Sequence, residues 1–283
     1  MNKKFTYTTL AVGFAFSALA QEKVNPQAIQ KIRKEGLENS KVMNIAYQMT
    51  DVLGPRLSNS PGLKRAQDWA VKQFNEWGLK NVHLEAWGTF GKGWQIDKFY
   101  AATTLPFYKA IIASPKAWTP GTNGLIKSAV ILIKADTITD LDQYKGQLAG
   151  KIIMLDQGGI LPLKNSYKPD ATRHTDSTLA AMASAVPNQN PVRRAVNPAM
   201  ELMMRKRQNR VAIAERLQQE NVGLILTFAR GNHGTFFTSN GASYAMDAKP
   251  VSPELEVSAE DYLHIFRLLK GGEKVELEAD IKT

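Results

Sequence analysis

The chain has 283 residues, enough for one large domain or two modest ones with a substantial core. Hydrophobic residues at 43% and charged residues at 22% describe a globular protein and exclude wholesale disorder. Cysteine is absent, which excludes disulfides, thiolate metal sites and cysteine nucleophiles; the formal charge is +10.

The first twenty residues have the layout of a cleaved secretory signal. Lys3 and Lys4 open it, an apolar stretch runs over residues 10–16, and Ala18-Leu19-Ala20 supplies small residues for cleavage. The apolar run is shorter than the about 20 residues a bilayer span needs, and no second run of that length follows. The mature protein is therefore expected to start at Gln21, to be exported to the periplasm or medium, and not to stay inserted in a membrane.

Apolar residues Ile29, Ile32, Leu37, Val42, Ile45 and Ala46 recur at helical intervals, giving two helices or one broken at Gly36. A turn-rich loop over residues 53–62 follows. In it Ser60 and Pro61 form a helix start, since the hydroxyl accepts an orphan amide and proline fits the first turn. Leu63, Ala66, Ala70, Phe74 and Trp77 mark one face of that helix, which Gly78 ends. Residues 81–87 alternate Val82, Leu84 and Ala86 and read as a strand.

After the glycine-rich aromatic stretch of residues 87–94, strands dominate. The apolar runs at 129–134, 151–156 and 222–228 have the pattern of strands buried on both faces. Residues 161–197 read as an irregular excursion, followed by a helix over 198–219 that Asn197 caps and Pro198 opens. The close of the chain reads as an extended piece at 254–257, a helix capped by Ser258 with Asp261 and ending before Gly271-Gly272, and a strand carrying Val275, Leu277, Ala279 and Ile281 on one face. No internal repeat is present.

The densest positive run, Arg205-Lys206-Arg207 with Arg210 and, upstream, Arg193-Arg194, contains no aromatic residue on which a base could stack. It reads as a solvated helix face, and no nucleic-acid partner is expected.

Several motifs together resemble a known family. Gly54-Pro55-Arg56-Leu57, Ser60-Pro61-Gly62-Leu63-Lys64-Arg65-Ala66 and Trp77-Gly78-Leu79-Lys80-Asn81-Val82-His83-Leu84-Glu85 resemble the opening of co-catalytic zinc exopeptidases of the carboxypeptidase Q and bacterial aminopeptidase kind. Trp87, Phe90-Gly91 and Gly93-Trp94 continue the pattern. Asp140-Leu141-Asp142-Gln143-Tyr144-Lys145-Gly146, Gly150-Lys151-Ile152-Ile153 and residues 258–282 are similar to the protease-associated domain inserted in those enzymes. Two positions depart from the pattern. Asn59 stands where glycine is common, and Arg230-Gly231-Asn232-His233-Gly234 replaces an acidic, glycine-rich stretch.

The resemblance implies an α/β fold in two parts after the signal peptide of residues 1–20. Residues 21–96 would be the incomplete N-terminal part of a zinc-peptidase domain, and residues 97–283 a protease-associated α/β domain. The front part would lack the sheet that covers its apolar face, while the rear part would close its own core. In the family a His-x-Asp and a Glu-Glu pair follow the inserted domain. There two zinc ions polarise the peptide carbonyl and activate water, and a glutamate takes the proton.

This sequence has no Glu-Glu pair. Its one His-x-Asp, His174-Thr175-Asp176, follows a loop sequence rather than an apolar strand, and Arg173 beside it would oppose a dication. The other histidines, His83, His233 and His264, read as structural or surface residues. No His-Glu-x-x-His, Gly-x-Ser-x-Gly, phosphate loop or dinucleotide fingerprint occurs, and nothing recommends a paired-carboxylate glycosidase. No catalytic, cofactor-binding or metal residue is therefore assigned in this chain, and none of its own residues is expected to bind a cofactor; the two zinc ions are implied only for the complete enzyme. The expected function is the front portion of an exported zinc exopeptidase, acting on peptides only when completed by a downstream catalytic segment. The alternative is an exported, non-catalytic protein- or peptide-binding module.

Overall fold

The computed structural model describes residues 25–156, 171–185, 198–239 and 241–283. The signal sequence, the Asn197 cap and most of the 161–197 excursion lie outside the described residues. The fold is mixed α/β, as expected. The chain divides into two compact units, at Pro55 and Arg56.

In the first unit, Asn25 caps α1 (Pro26–Leu37), its Oδ1 accepting from the amides of Gln27 at 3.0 Å and Ala28 at 3.2 Å. The helix runs through Gly36 instead of breaking there. A lone glycine costs about 1 kcal/mol in a helix but does not end one. The interruption falls at residues 38–41, where Asn39 and Ser40 turn their side chains to local polar groups. Then come α2 (Val42–Tyr47) and a π-helical turn, Gln48–Val52, in which the Thr50 hydroxyl donates back to the Ala46 carbonyl at 2.9 Å.

In the second unit, α3 (Pro61–Glu76) begins as its sequence predicts, with Ser60 Oγ accepting from the Leu63 amide at 3.1 Å. It ends in a Schellman turn at Gly78 (φ 85°), with Leu79 N donating to Phe74 O and Gly78 N to Asn75 O. Residues 81–87 are not a strand. Alternation marks a segment that could pair, but a strand exists only when a neighbour takes up its backbone hydrogen bonds, and this segment joins no ladder.

Ten strands follow. The main sheet has the order β2-β1-β10-β4-β5-β6-β9-β3. Its members are β1 (Lys98–Leu105), β2 (Lys109–Ala110), β3 (Ala113–Pro115), β4 (Ile126–Ile133), β5 (Ile152–Leu155), β6 (Leu224–Phe228), β9 (Glu254–Val257) and β10 (Glu276–Lys282). β4, β5, β6 and β9 are parallel neighbours, and the flanking pairs are antiparallel. The two edge strands, β2 and β3, are separated in sequence only by Ile111 and Ile112, so the sheet curls back on itself.

Both faces of the parallel strands are covered, which is why their sequences are continuous apolar runs. Ile152, Met154, Leu224, Leu226, Leu255 and Val257 face one cluster. There they meet Tyr262, Ile265 and Phe266 of α6 (Ala259–Lys270) and Leu277, Ala279 and Ile281 of β10. Ile133, Ile153 and Ile225 face the other, against Leu141, Leu148 and Ile213 and Leu217 of α5 (Pro198–Gln219). No helix among the described residues is long and apolar enough to cross a membrane.

The irregular excursion contains a helix that its sequence did not suggest, α4 (Asp176–Ser184), capped by Thr175 Oγ1 accepting from the Thr178 amide. Leu179, Ala180, Ala181 and Met182 are strong helix formers, but the segment buries no face, so it shows no apolar period. A small hairpin, β7 (Arg230–Asn232) and β8 (Thr235–Phe237), follows β6.

A 3-10 helix, Ile138–Tyr144, starts at a capping box built by Thr137 and Asp140. Amide hydrogen bonds from Thr137 and Asp136, then the Thr137 hydroxyl, hold the Asp140 carboxyl below the usual carboxylate range. A depressed carboxyl stabilises the fold above its unfolded value of about 3.9, and that contribution is lost as pH falls through the lower folded value. In a carboxyl NMR titration Asp140 should titrate at lower pH than an unstructured aspartate, and Thr137→Ala should move its midpoint upward.

Candidate functional site

Within the second unit the fold ties one part of the resemblance, the stretch at 90–94, into a knot with Asn59, Trp118 and Tyr244, residues far apart in sequence. Asn59 takes the left-handed conformation at φ 57°, which asparagine tolerates and β-branched residues do not. Its side-chain amide donates to the Gly91 carbonyl at 2.6 Å. The departure at Asn59 is thus a substitution of one left-handed former for another, with a hydrogen bond added.

Gly93 passes so close to Asn59 that a Cβ there would lie 2.0 Å from the Asn59 carbonyl oxygen. Gly91 has φ 127°, and a Cβ on it would lie 2.3 Å from the Tyr244 carbonyl oxygen. Glycine is required at both positions. The Lys92 amide, held between them, donates to that same Tyr244 oxygen at 2.8 Å.

Aromatic rings seal the knot. Phe90 stacks on Tyr244 with centroids 4.3 Å apart, and Trp118 leans on both. The indole N–H of Trp118 donates to the Lys92 carbonyl at 2.9 Å, and that of Trp94 to the Thr119 carbonyl at 3.1 Å. Both indoles are therefore fixed in orientation. They help wall a cleft of ≈ 430 Å³, completed by Pro120, Ser243, Pro250 and Val251, with Lys92 and Lys249 also lining it. Pockets of about 300–1,000 Å³ hold small ligands, so this one matches a single residue or two.

A second set of polar residues lies along β9 and the start of α6, where four carboxylates hold neighbouring segments. Glu254 pairs with Lys116 at 2.6 Å. Glu256, almost fully buried, accepts from the Ser239 amide at 2.8 Å and from its hydroxyl. Glu260 accepts from the amides of His233 at 2.6 Å and Gly234 at 3.3 Å. Asp261 accepts from the Lys109 ammonium and from the Ile112 amide at 2.7 Å. Each carboxylate is committed to structure, so none is placed as a free base or metal ligand.

The histidines remain scattered. His83 lies in the irregular segment, its ring nitrogen 2.6 Å from the Asn81 carbonyl, so it is on no strand. His174 is an exposed loop residue, and Asp176 opens α4. His233 turns the β7–β8 hairpin at φ 61°, and His264 packs its ring 5.9 Å from that of Phe107. Among the described residues no three of His, Asp or Glu are grouped to hold a metal. They do not fit a two-zinc centre. The knot and its aromatic cleft were not marked as a site by sequence; the glycine-rich stretch was the available signal, but its partners Trp118 and Tyr244 carry none.

No family model matches the chain, and no curated protein matches it. Among solved structures it is similar to a peptidase M28 precursor from Shewanella amazonensis SB2B, at 19% identity and a TM-score of 0.48 over 90% of this chain and 50% of that one. It is also similar to an aminopeptidase from Aneurinibacillus sp. strain AM-1 at 12% identity, a TM-score of 0.41 and 83% against 43% coverage. BSAP, a zinc aminopeptidase from Bacillus subtilis, gives 11%, 0.41 and 83% against 41%. The chain spans half or less of the length of each.

Proposed function

We propose that this chain is the front portion of an exported zinc exopeptidase, supplying a docking and access part for peptides rather than the metal centre. The supporting observation is the knot. The motif residues Gly91 and Gly93, which belong to the sequence resemblance, interlock with Asn59, which departs from it, and lead directly into an aromatic cleft. In this reading the two zinc ions belong to the complete enzyme and are held by residues outside this sequence. The chain itself would position a peptide and shield the reaction from water.

The test is calorimetric titration of the chain with zinc, alongside an assay on aminoacyl and dipeptide substrates. The expected result is no tight stoichiometric zinc and no turnover. Tight zinc binding with turnover that a chelator abolishes would show that the chain carries its own centre. Reading the DNA that follows codon 283 separates the two sequence-based alternatives. A coding segment with His-x-Asp and Glu-Glu supports the peptidase portion, and a stop with nothing similar beyond it supports the stand-alone binding module.

A further inference from the structure

We infer that residues 81–87 form an interface between two copies of this chain, paired as antiparallel strands about a two-fold axis at Leu84. The inference stands apart from the peptide reading above.

The segment has the alternation of a strand and no strand beside it in its own fold. From Val82 to Ile96 the backbone contains no helix, turn or bend, and no residue from Val82 to Phe90 has a positive φ. Among the described residues, the amides and carbonyls of residues 82–90 make no backbone hydrogen bond. His83 to Thr89 are all exposed, Leu84 at 48% and Trp87 at 94%. An unused row of donors and acceptors beside apolar side chains is the condition for adding a strand from another chain.

The sequence of the segment selects that strand. When it pairs antiparallel with itself about Leu84, Val82 meets Ala86 of the second copy and Leu84 meets its equivalent. The other face sets His83 opposite Glu85 of the second copy, twice, and Asn81 opposite Trp87. Opposite charges across a strand pair stabilise it, and like charges oppose it. His83 Nδ1 donates to the Asn81 carbonyl at 2.6 Å, so Nε2 remains to donate, once protonated, to that carboxylate. Moving the axis to Glu85 would set two carboxylates opposite each other, and moving it to His83 two imidazoles. A slip of one residue would bring apolar side chains opposite polar ones. The arrangement about Leu84 satisfies both faces, and it is isologous, so the same patch is used on both copies.

Sedimentation velocity on the 283-residue chain tests the pairing. It is run at about pH 6, below the ordinary histidine value of about 6.5. A strand pair is a small interface and binds weakly, so the series covers about 5 to 300 µM. A monomer–dimer equilibrium is the expected result. Glu85→Lys should weaken it about tenfold or more, because each of two charge pairs turns repulsive. The swapped double variant His83→Glu/Glu85→Lys restores opposite charges in the same register, and should associate within about threefold of the wild type. His83, Leu84 and Glu85 are exposed, so substitutions there leave the core untouched.

Single cysteines read the register, because the chain has none of its own. Leu84→Cys places its thiol on the axis, with Cα atoms about 4.5–5.5 Å apart, and should give a disulfide dimer under mild oxidation. The two copies of Val82→Cys would lie about 13 Å apart and should not. A monomer throughout the concentration range overturns the inference and leaves the segment to a strand of a different chain. So does a dimer that Glu85→Lys leaves unchanged, a double variant that fails to associate, or a cross-link as fast at Val82 as at Leu84.

Discussion

Replacing Gly91 by alanine should destabilise the second unit by about 2–4 kcal/mol, the sum expected for a strained backbone and a forced contact. The conformation at φ 127° is open to glycine and costly to any residue with a Cβ. The added methyl would meet the Tyr244 carbonyl oxygen at 2.3 Å, and a backbone atom cannot swing aside as a flexible side chain can. Relief requires moving Tyr244, which would break its hydrogen bond from the Lys92 amide and its stack on Phe90. Urea unfolding followed by tryptophan fluorescence would read the change. Gly88→Ala is the control, since a Cβ there meets nothing within 4 Å, and its midpoint should hardly move. A Gly91→Ala loss below about 1 kcal/mol would mean that the loop yields, and that the knot is looser than its contacts imply.

Asp261→Ala should cost about 2–3 kcal/mol, set by the loss of a buried acceptor and discounted because its cation is partly solvated. Asp261 is 4% exposed, whereas the Lys109 side chain is 41% exposed. The carboxylate also sits in the first turn of α6, where the helix dipole favours negative charge. Its removal leaves the Ile112 amide without its partner, at the point where the chain passes from β2 to β3. Asp261→Asn keeps an acceptor for that amide but loses the ion pair, so its cost should be smaller. Hydrogen exchange at Ile112 distinguishes the two, with fast exchange in the alanine variant and retained protection in the asparagine one. If both variants exchange alike, the amide is protected by something other than Asp261.

Where burial is periodic or complete, the fold could be read from sequence. β4, β5 and β6 announce themselves as apolar runs because both their faces are covered. β10 alternates because only one face is, and Ser60 and Ser258 mark helix starts through the amides they accept. What could not be read depends on distant partners. β1, with the small residues Ala101, Ala102 and Thr103 at its centre, is a strand because β10 lies beside it nearly two hundred residues later. Residues 81–87 have a better strand pattern and no such neighbour. The two- and three-residue strands β2, β3, β7 and β8 are too short to show any period. Much the same holds for the site. The spacing of Gly91 and Gly93 hints at a close backbone approach, but nothing local to Trp118 or Tyr244 says that they are what is approached.

The boundary at residue 96 that the resemblance implies runs through this knot, and by contacts the chain divides at residue 55. The stretch from Asn59 to Trp94 is held by hydrogen bonds to residues 119 and 244, so the front part expected to lack a packing partner has one for its loops. Its helix is less well served. Phe74 and the C-cap residue Trp77 remain more than 40% exposed.

The position of β10 between β1 and β4 also bears on how the protein is made. On the ribosome, β1 and β4 emerge long before the strand that joins them, and until it arrives each presents an unpaired edge. Closing a pairing such as Lys98 with Lys282 means bringing together ends separated by almost the whole of the second unit, a slow step in any chain. The parallel core of β4, β5, β6 and β9 is complete earlier, so assembly has a natural order: a four-stranded nucleus first, and the late strand sealing it to β1 afterwards. During that interval the half-built sheet has edges open to pairing with other nascent copies, the exposure that a late-closing strand brings to a chain of this topology.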